Sequence, residues 1–143
     1  MENKVFPATK AFVVYTGRVL IIRESSNYKE GTSPGRYDVS GGRVKSGQTY
    51  YQSLLREIRE ETGLVVRIRN RHKPFHIDEW RVDIHGDELQ IVGAYFECFA
   101  DSDQVILSKD HDRFEWINPE DYGKFNLIPG LERAFESYLA LNR

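Results

Sequence analysis

The chain has 143 residues and a mass of 16.7 kDa, so we expect a single domain spanning residues 1–143. Its 20 Lys and Arg residues nearly balance 22 Asp and Glu residues, and the net charge of -2 provides no broad positive surface for a nucleic-acid backbone. This balance excludes general nucleic-acid binding as the main function. A hydrophobic share of 40% and a mean hydropathy of -0.55 are typical of a soluble globular protein.

The single cysteine and the N-terminus both bear on the cellular compartment. Cys98 lies in the apolar run AYFECFA, which favours a buried small side chain over a reactive thiol, and an intramolecular disulfide would need a second cysteine. The N-terminal segment MENKVFPATK has no apolar stretch of the signal-peptide kind, and nowhere do 18 uncharged apolar residues follow one another. We therefore predict a cytoplasmic protein that does not associate with membranes.

Apolar runs and turn residues predict an α/β (α+β) protein in which helices pack on a mixed sheet. The expected turns are Thr16-Gly17 and Gly86-Asp87, and residues 25–36 form a polar loop of the length that is often functional. Asn118-Pro119 marks the start of a helix. Strands are expected at residues 9–15, 18–23, 37–40, 64–69, 74–84, 88–99 and 113–117, and longer helices at 49–62, ending at Gly63, and at 129–141.

The segment 41–64 predicts a helix with a cluster of carboxylates on an exposed arc. Like charges at this spacing cost a helix about 0.2–0.5 kcal/mol per pair, so the cluster indicates a nearby cation, for which Arg56 and a divalent ion such as Mg²⁺ or Mn²⁺ are candidates. A solvated helix face is the alternative interpretation of the glutamates alone. The clustered carboxylates are Glu57, Glu60 and Glu61. The apolar side chains of the face that we expect to be buried are Tyr51, Leu54, Leu55 and Ile58.

The same segment resembles the signature of the Nudix hydrolases, the MutT-like family, which reads G-x5-E-x7-R-E-U-x-E-E-x-G-U with U a bulky aliphatic residue. Such a joint pattern has a chance frequency of about 10⁻⁸ to 10⁻⁹ per start position. Gln48 departs from the pattern, because it stands where the family has its first Glu. The matching residues are Gly42, Arg56, Glu57, Ile58, Glu60, Glu61, Gly63 and Leu64.

The resemblance implies a Nudix-type α/β/α sandwich around a mixed β-sheet. It also implies hydrolysis, by metal-activated water, of a nucleoside diphosphate linked to another moiety, as in a nucleoside triphosphate or ADP-ribose. Carried over by position, Glu57 and Glu61 would be the principal Mg²⁺ ligands, with Mn²⁺ as a substitute, and the Gly41 carbonyl would add an oxygen. Glu60 would complete the metal shell or act on water. A homodimer would be compatible with the family.

Arg56 and Gln48 are the two remaining catalytic candidates of the segment. Arg56 would orient the glutamates and contact a phosphate, and a plain Arg56–Glu60 helix pair is the alternative. Gln48 keeps one carbonyl acceptor but carries no charge and takes no proton. Three hypotheses follow: a weakened enzyme, an enzyme whose base comes from elsewhere, or a regulatory domain that binds a nucleotide without turnover. Substitute bases could come from Asp110, His111, Asp112 and Glu115, for which a solvated loop is the alternative.

The sequence says little about which nucleotide is bound. Tyr37 is the candidate for stacking on a base, together with Tyr28 at the polar loop, although core or surface packing is the favoured interpretation for either ring. Phe75, His76 and Trp80 are further candidates.

Overall fold

The computed structural model describes residues 4–28 and 31–141 of the chain. Its helices are α1 (Tyr50–Thr62), a 3₁₀ helix (Pro119–Lys124) and α2 (Leu131–Leu139). Its strands are β1 (Lys4–Tyr15), β2 (Arg18–Glu24), β3 (Tyr37–Asp38), β4 (Ser40–Arg43), β5 (Val66–Ile68), β6 (His76–Ile84), β7 (Asp87–Ala100) and β8 (His111–Ile117). Neither α-helix in these described ranges has the length and apolarity needed to cross a membrane.

The strands form one mixed sheet in which β1 is central. β1 pairs in parallel with β7 along nearly its whole length, from Lys4 opposite Leu89 to Val14 opposite Phe99. It pairs in antiparallel fashion with β2 at the hairpin and with β4, where Lys10 lies opposite Gly41. The order β3-β2-β1-β7-β5 is extended by β8 beside β2 and by β6 beside β7. The predicted mixed sheet is therefore confirmed.

The two α-helices cover opposite faces of this sheet. Side chains alternate between the faces of a strand, so neighbouring residues of β1 enter different cores. Val13 packs in the core that contains Leu54 of α1, whereas Phe12 packs in the core that contains Phe135 of α2, with ring centroids 4.6 Å apart. This layering confirms the α/β/α sandwich, and Cys98 is fully buried in the α1 core as predicted.

Helix α1 begins and ends where local chemistry predicts. Thr49 is the N-cap: its hydroxyl accepts from the Gln52 backbone N–H, and the Gln52 side chain accepts from the Thr49 N–H. Gly63 ends the helix with a φ of 74°, a left-handed conformation that favours glycine.

The buried face of α1 differs from the prediction. Leu55 is 36% exposed and Tyr51 is only half-buried, whereas Ser53 and Thr62 are fully buried beside Leu54 and Ile58. Small hydroxyl side chains can be buried when they are hydrogen-bonded, as Thr62 is to the Ile58 carbonyl at 2.6 Å. The helix is thus turned so that two small polar residues, and not the larger Leu55, face the sheet.

Both predicted hairpins form, one of them displaced by a residue. Thr16 and Gly17 have φ values of 47° and 80°, the pattern of a tight two-residue hairpin turn. The second turn is His85-Gly86, with φ values of 53° and 86°, and not Gly86-Asp87. Asp87 instead pairs with Ile84 and begins β7, because both central residues of such a turn need positive φ.

Several boundaries are also corrected. β1 begins at Lys4 rather than residue 9, because its pairing with β7 extends to the chain's N-terminal side. The strand expected at 37–40 is divided into β3 and β4 around Val39, whose N–H bonds the Asp38 side chain at 2.7 Å. α2 covers Leu131–Leu139 rather than 129–141, since Gly130, with a φ of 92°, lies before the first helical residue.

Candidate active site

The backbone of β4 approaches β1 so closely that one position requires glycine. Gly41 has a φ of 143°, and a Cβ atom added there would lie 2.2 Å from the Thr9 carbonyl oxygen. No side chain fits in that space. The close approach places the backbone of residues 40–42 beside the last two turns of α1.

Glu61 of α1 is hydrogen-bonded to this strand. One carboxylate oxygen, Oε1, accepts from the Ser40 hydroxyl at 2.7 Å and from the Gly41 backbone N–H at 3.0 Å. The side chain is 18% exposed. Two donors on one oxygen leave the second oxygen, Oε2, directed elsewhere, and His111 Nε2 lies 4.0 Å from it.

Glu57, one turn earlier on α1, lies against the next glycine of β4. A Cβ atom added at Gly42 would be 3.3 Å from both Cδ and Oε1 of Glu57, so a side chain at position 42 would crowd the carboxylate. Glu57 is 23% exposed. The spacing of four residues on the helix therefore brings Glu57 and Glu61 to the same short strand, whereas the sequence predicts all three glutamates on an exposed arc.

Glu60 is not part of this pair. It is 59% exposed, and its Oε2 accepts from Arg56 Nη1 at 3.0 Å on the outer side of the helix. Within residues 4–28 and 31–141, no three His, Cys, Asp or Glu side chains are arranged to hold a metal ion by themselves. The three glutamates thus divide into an inward pair and an outward Glu60 that is paired with Arg56.

Arg56 connects the residues of the signature, and Gln48 anchors it. Arg56 Nη2 lies 3.3 Å from Glu57 Oε1, while Arg56 Nε donates to Gln48 Oε1 at 3.2 Å. The same Gln48 oxygen accepts from the Ser53 hydroxyl at 3.0 Å. Gln48 therefore uses its carbonyl oxygen to hold Arg56 and Ser53, and Arg56 in turn holds both Glu57 and Glu60.

Burial disfavours the charged form of the two inward carboxylates. Desolvation raises the pKa of Glu61 to about 7, against the lowering effects of the Ser40 hydroxyl and the Lys10 charge. Desolvation also raises the pKa of Glu57, against the lowering effect of Arg56. Two such carboxylates, side by side, form a site of incompletely compensated negative charge.

The donor chemistry of this pair fits a hard divalent cation. Mg²⁺ binds oxygen ligands and is commonly held by one or two carboxylates while it keeps several waters. Glu57 and Glu61 offer carboxylate oxygens beside the backbone of residues 40–42, and a cation would compensate the charge that burial leaves. The residues present therefore fit the metal that the signature implies.

Sequence reasoning missed Lys10, a buried lysine at the centre of the sheet. Its Nζ lies 2.8 Å from Asp38 Oδ2, and its side chain is 9% exposed. Burial lowers the pKa of Lys10, but the attraction of Asp38, Glu61 and Glu57 outweighs burial and raises that pKa above its ordinary value. The available signal was a charged residue within the apolar run TKAFVVY of a central strand.

Of the four suggested substitute bases, only His111 reaches the carboxylate pair. Burial lowers its pKa, and its Nδ1 has no hydrogen-bond partner among the described residues. Asp112 instead pairs with Arg23 at 2.8 Å, and Glu115 with Arg113 at 3.5 Å.

A cavity of about 560 Å³ opens on the α2 side of the sheet, next to the Lys10–Asp38 pair. Its volume lies within the range of about 300–1,000 Å³ that is typical of small-molecule sites. Trp80, one of the predicted aromatic candidates, lines it together with Tyr95 and Arg133. The cavity thus extends from the lysine that faces the carboxylate pair to a wall formed by β6 and α2.

Tyr37 does not line this cavity. Its ring is 8% exposed and packs against Phe125, with centroids 6.0 Å apart, in the α2 core. Phe75 packs on the same core against Phe12. Tyr37 therefore takes the core role that the sequence left as the alternative, Phe75 also packs in the core, and Trp80 lines the cavity.

Comparisons with known proteins identify the family of this chain. The profile of the NUDIX domain matches residues 6–138. The chain belongs to the Nudix hydrolase family. The nucleoside triphosphatase NudI of Escherichia coli O139:H28 is 29% identical over 101 residues, covering 68% of this chain and 72% of NudI. The NudI of Escherichia fergusonii is 27% identical over a stretch of the same length.

Solved structures share the fold along nearly the whole chain. The MutT protein of Methanosarcina mazei Go1 superimposes with a TM-score of 0.82 at 22% identity, covering 96% of this chain and 95% of that protein. An Ap4A hydrolase of C. elegans gives 0.70 at 18% identity, covering 94% and 96%. The predictions of a MutT-like Nudix fold and of a Nudix pyrophosphohydrolase are confirmed.

Proposed function

We propose that this Nudix hydrolase cleaves a pyrophosphate bond in a nucleoside diphosphate linked to another moiety, and that it requires Mg²⁺. Nucleoside triphosphates are the class to test first, because the NudI relatives are named nucleoside triphosphatases. The observation that carries the proposal is the inward pair of Glu57 and Glu61 on the backbone of residues 40–42. Lys10, whose charge acts on both carboxylates, lines a cavity of about 560 Å³.

Glu57 and Glu61 would hold the metal, with the Gly41 carbonyl as a further oxygen and Mn²⁺ as a substitute ion. When bound, such an ion neutralises phosphate charge and lowers the pKa of a coordinated water. Ser40 and the Gly41 N–H fix the orientation of Glu61, and Arg56 fixes that of Glu57. Lys10 lines the cavity and supplies a positive charge that acts on both carboxylates.

Glu60 and Arg56 complete the proposed catalytic group. Glu60 is exposed and oriented by Arg56, so it can move to contact water or the metal shell without breaking a buried contact. Arg56 lies between both glutamates and can reach a phosphate if Glu60 releases it. His111, beside Glu61, is the candidate for a base that replaces the missing first glutamate.

The position of Gln48 supports catalysis rather than silent binding. Its carbonyl oxygen faces Arg56 and Ser53, not the inward carboxylates, so the property used here is acceptor geometry and not charge. A glutamine retains that acceptor. A regulatory domain without turnover remains the second hypothesis, and the assay below separates the two.

The test is release of phosphate or pyrophosphate from nucleoside triphosphates, ADP-ribose and dinucleoside polyphosphates, with Mg²⁺, Mn²⁺ or a chelator. We expect metal-dependent release from one class, reduced at least about 100-fold in Glu61→Gln because a metal ligand is lost. Glu136→Gln, an exposed glutamate of α2, is the matched control and should retain wild-type turnover. No release from any substrate would favour the nucleotide-binding hypothesis.

A single domain, a cytoplasmic location and a homodimer stay predictions of the sequence and the family.

A further inference from the structure

A chain of hydrogen bonds connects α2 to β6 at the wall of the cavity. Ser137 Oγ lies 2.7 Å from His76 Nδ1, and His76 Nε2 lies 3.3 Å from Asp78 Oδ2. The same Asp78 oxygen accepts from Arg133 Nε at 2.8 Å. Arg133 and Ser137 are four residues apart on one face of α2, so both ends of this series of hydrogen bonds lie on the same helix.

Both carboxylate oxygens of Asp78 accept hydrogen bonds, whereas Arg133 donates through only one of its nitrogens to a described residue. The other carboxylate oxygen of Asp78 accepts from the Glu79 backbone N–H at 2.9 Å. Arg133 donates only through Nε: its Nη1 lies 4.0 Å from Glu132 Oε1, and no other acceptor in the described part of the chain bonds either Nη atom. Asp78 thus fixes the direction of a guanidinium whose two terminal nitrogens stay available in the cavity wall.

A planar aromatic surface lines the same cavity as this guanidinium. The Trp80 ring lies across Gly93 of β7, where an added Cβ atom would be 2.4 Å from ring atom Cη2. Glycine at 93 therefore makes room for the ring to lie on the sheet. Trp80 is half-buried and lines the cavity with Tyr95 and Arg133. A flat heterocycle can stack on such a ring.

We propose that Arg133 selects the base of the substrate, by donating from its two Nη atoms to a pair of adjacent acceptors on a base that stacks on Trp80. The class with that pair is a 6-oxopurine, whose O6 and N7 are the usual bidentate partners of arginine. Adenine offers one acceptor at this edge, N7, beside the N6 amino donor. Asp78 is a positioning residue that aims Arg133. This inference rests on the proposed function, because it assigns the base of that same substrate.

The test compares kcat/KM of the Mg²⁺-loaded protein for four triphosphates. GTP and ITP carry O6 and N7, whereas ATP lacks O6 and 7-deaza-GTP lacks N7. We expect GTP and ITP to be favoured about 5- to 150-fold. In Arg133→Gln and in Arg133→Lys, which cannot bond in bidentate fashion, this ratio should fall towards one because kcat/KM for GTP and ITP falls more than kcat/KM for ATP. Asp78→Asn should reduce the ratio partly.

Arg18→Gln, an exposed arginine of the β1–β2 hairpin, is the control and should keep the wild-type ratio. Equal kcat/KM for GTP and 7-deaza-GTP in the wild type would overturn the inference. An equal loss for all four substrates in Arg133→Gln would also overturn it, by making Arg133 a phosphate contact.

Binding of free nucleosides separates this inference from the proposed function, because it needs neither metal nor turnover. Guanosine and inosine should bind more tightly than 7-deazaguanosine, and Arg133→Gln should abolish the difference. If that difference is present but none of the nucleoside triphosphates, ADP-ribose or dinucleoside polyphosphates is hydrolysed, the proposed function fails and the base selection stands. Hydrolysis without any difference in binding between the nucleosides would support the proposed function and overturn the base selection.

Discussion

Gln48 places a neutral side chain where the family signature has a glutamate. Its Oε1 receives Arg56 Nε at 3.2 Å and Ser53 Oγ at 3.0 Å, so both donors are satisfied by one carbonyl. A carboxylate would bond the arginine more strongly, since charge-assisted bonds are roughly twice as strong as neutral ones. The geometry around Arg56 does not depend on that extra strength.

Removing the acceptor at position 48 should therefore matter more than restoring the charge. Gln48→Met keeps the length of the side chain but leaves Arg56 without this bond, and we expect kcat/KM to fall about 10–100-fold. Gln48→Glu keeps the acceptor and should be at least as active as the wild type. Steady-state kinetics with Mg²⁺ measure both, with the exposed Gln104→Met as control. Wild-type activity in Gln48→Met would show that Arg56 needs no such anchor.

At the scale of elements, the contact between β4 and β1 decides where the carboxylates are held. Gly41 is both the donor to Glu61 and the point where β4 comes closest to β1. A larger residue would move β4 outward, and the Glu61 partners with it.

Comparison of Gly41→Ala with Gly47→Ala separates the steric clash of a side chain with β1 from the backbone strain of a positive φ. Both glycines have positive φ, 143° and 87°, but a Cβ atom at Gly47 has no heavy atom within 4 Å. We expect Gly47→Ala to cost about 1–2 kcal/mol of unfolding free energy and Gly41→Ala about 3 kcal/mol or more. Urea denaturation checks the difference, and equal losses would mean that β4 adjusts without cost.

Elements whose limits depend on local chemistry were predictable. The N-cap at Thr49 and the end at Gly63 follow from residues within one turn of each boundary. The buried face of α1 was not predictable. Periodicity and apolarity favour burial of Leu55 over Ser53, but the sheet accommodates small hydroxyl side chains that are hydrogen-bonded. Helical periodicity describes the helix alone and contains no information about the sheet against which it packs.

At the scale of the molecule, the two glutamates of the site were predictable from the sequence, whereas the site residues on other strands were not. Glu57 and Glu61 share one helix, so spacing alone brings them together. Lys10, Asp38 and His111 belong to three different strands, and only the sheet topology places them near those carboxylates. Single-residue patterns within one segment cannot predict contacts of that kind.

The burial of Glu61 should make stability depend on pH. The folded-state pKa of Glu61 is raised from 4.5 to about 7, so between these values the folded protein holds a proton that the unfolded chain has released. Stability from this group is complete below about pH 4.5 and is lost as the pH rises through 7. The loss is on the order of 3 kcal/mol at 1.36 kcal/mol per pKa unit.

Urea denaturation in a chelator at pH 5 and pH 8 measures this loss. Glu61→Gln does not titrate, so its stability should fall less than that of the wild type over the same interval. Adding Mg²⁺ at pH 8 should recover part of the difference in the wild type only. Parallel pH profiles for the two proteins would contradict the raised pKa.

The sheet that separates the α1 core from the α2 core also separates two sets of mutational effects. Phe12 and Val13 are neighbours in sequence, yet their side chains contact different helices. Residues without shared partners usually contribute independently to the free energy of unfolding. Stabilising substitutions in the α2 core would therefore offset the cost of destabilising substitutions around α1. Directed evolution of the α1 helix could start from a protein that has first been stabilised in the α2 core.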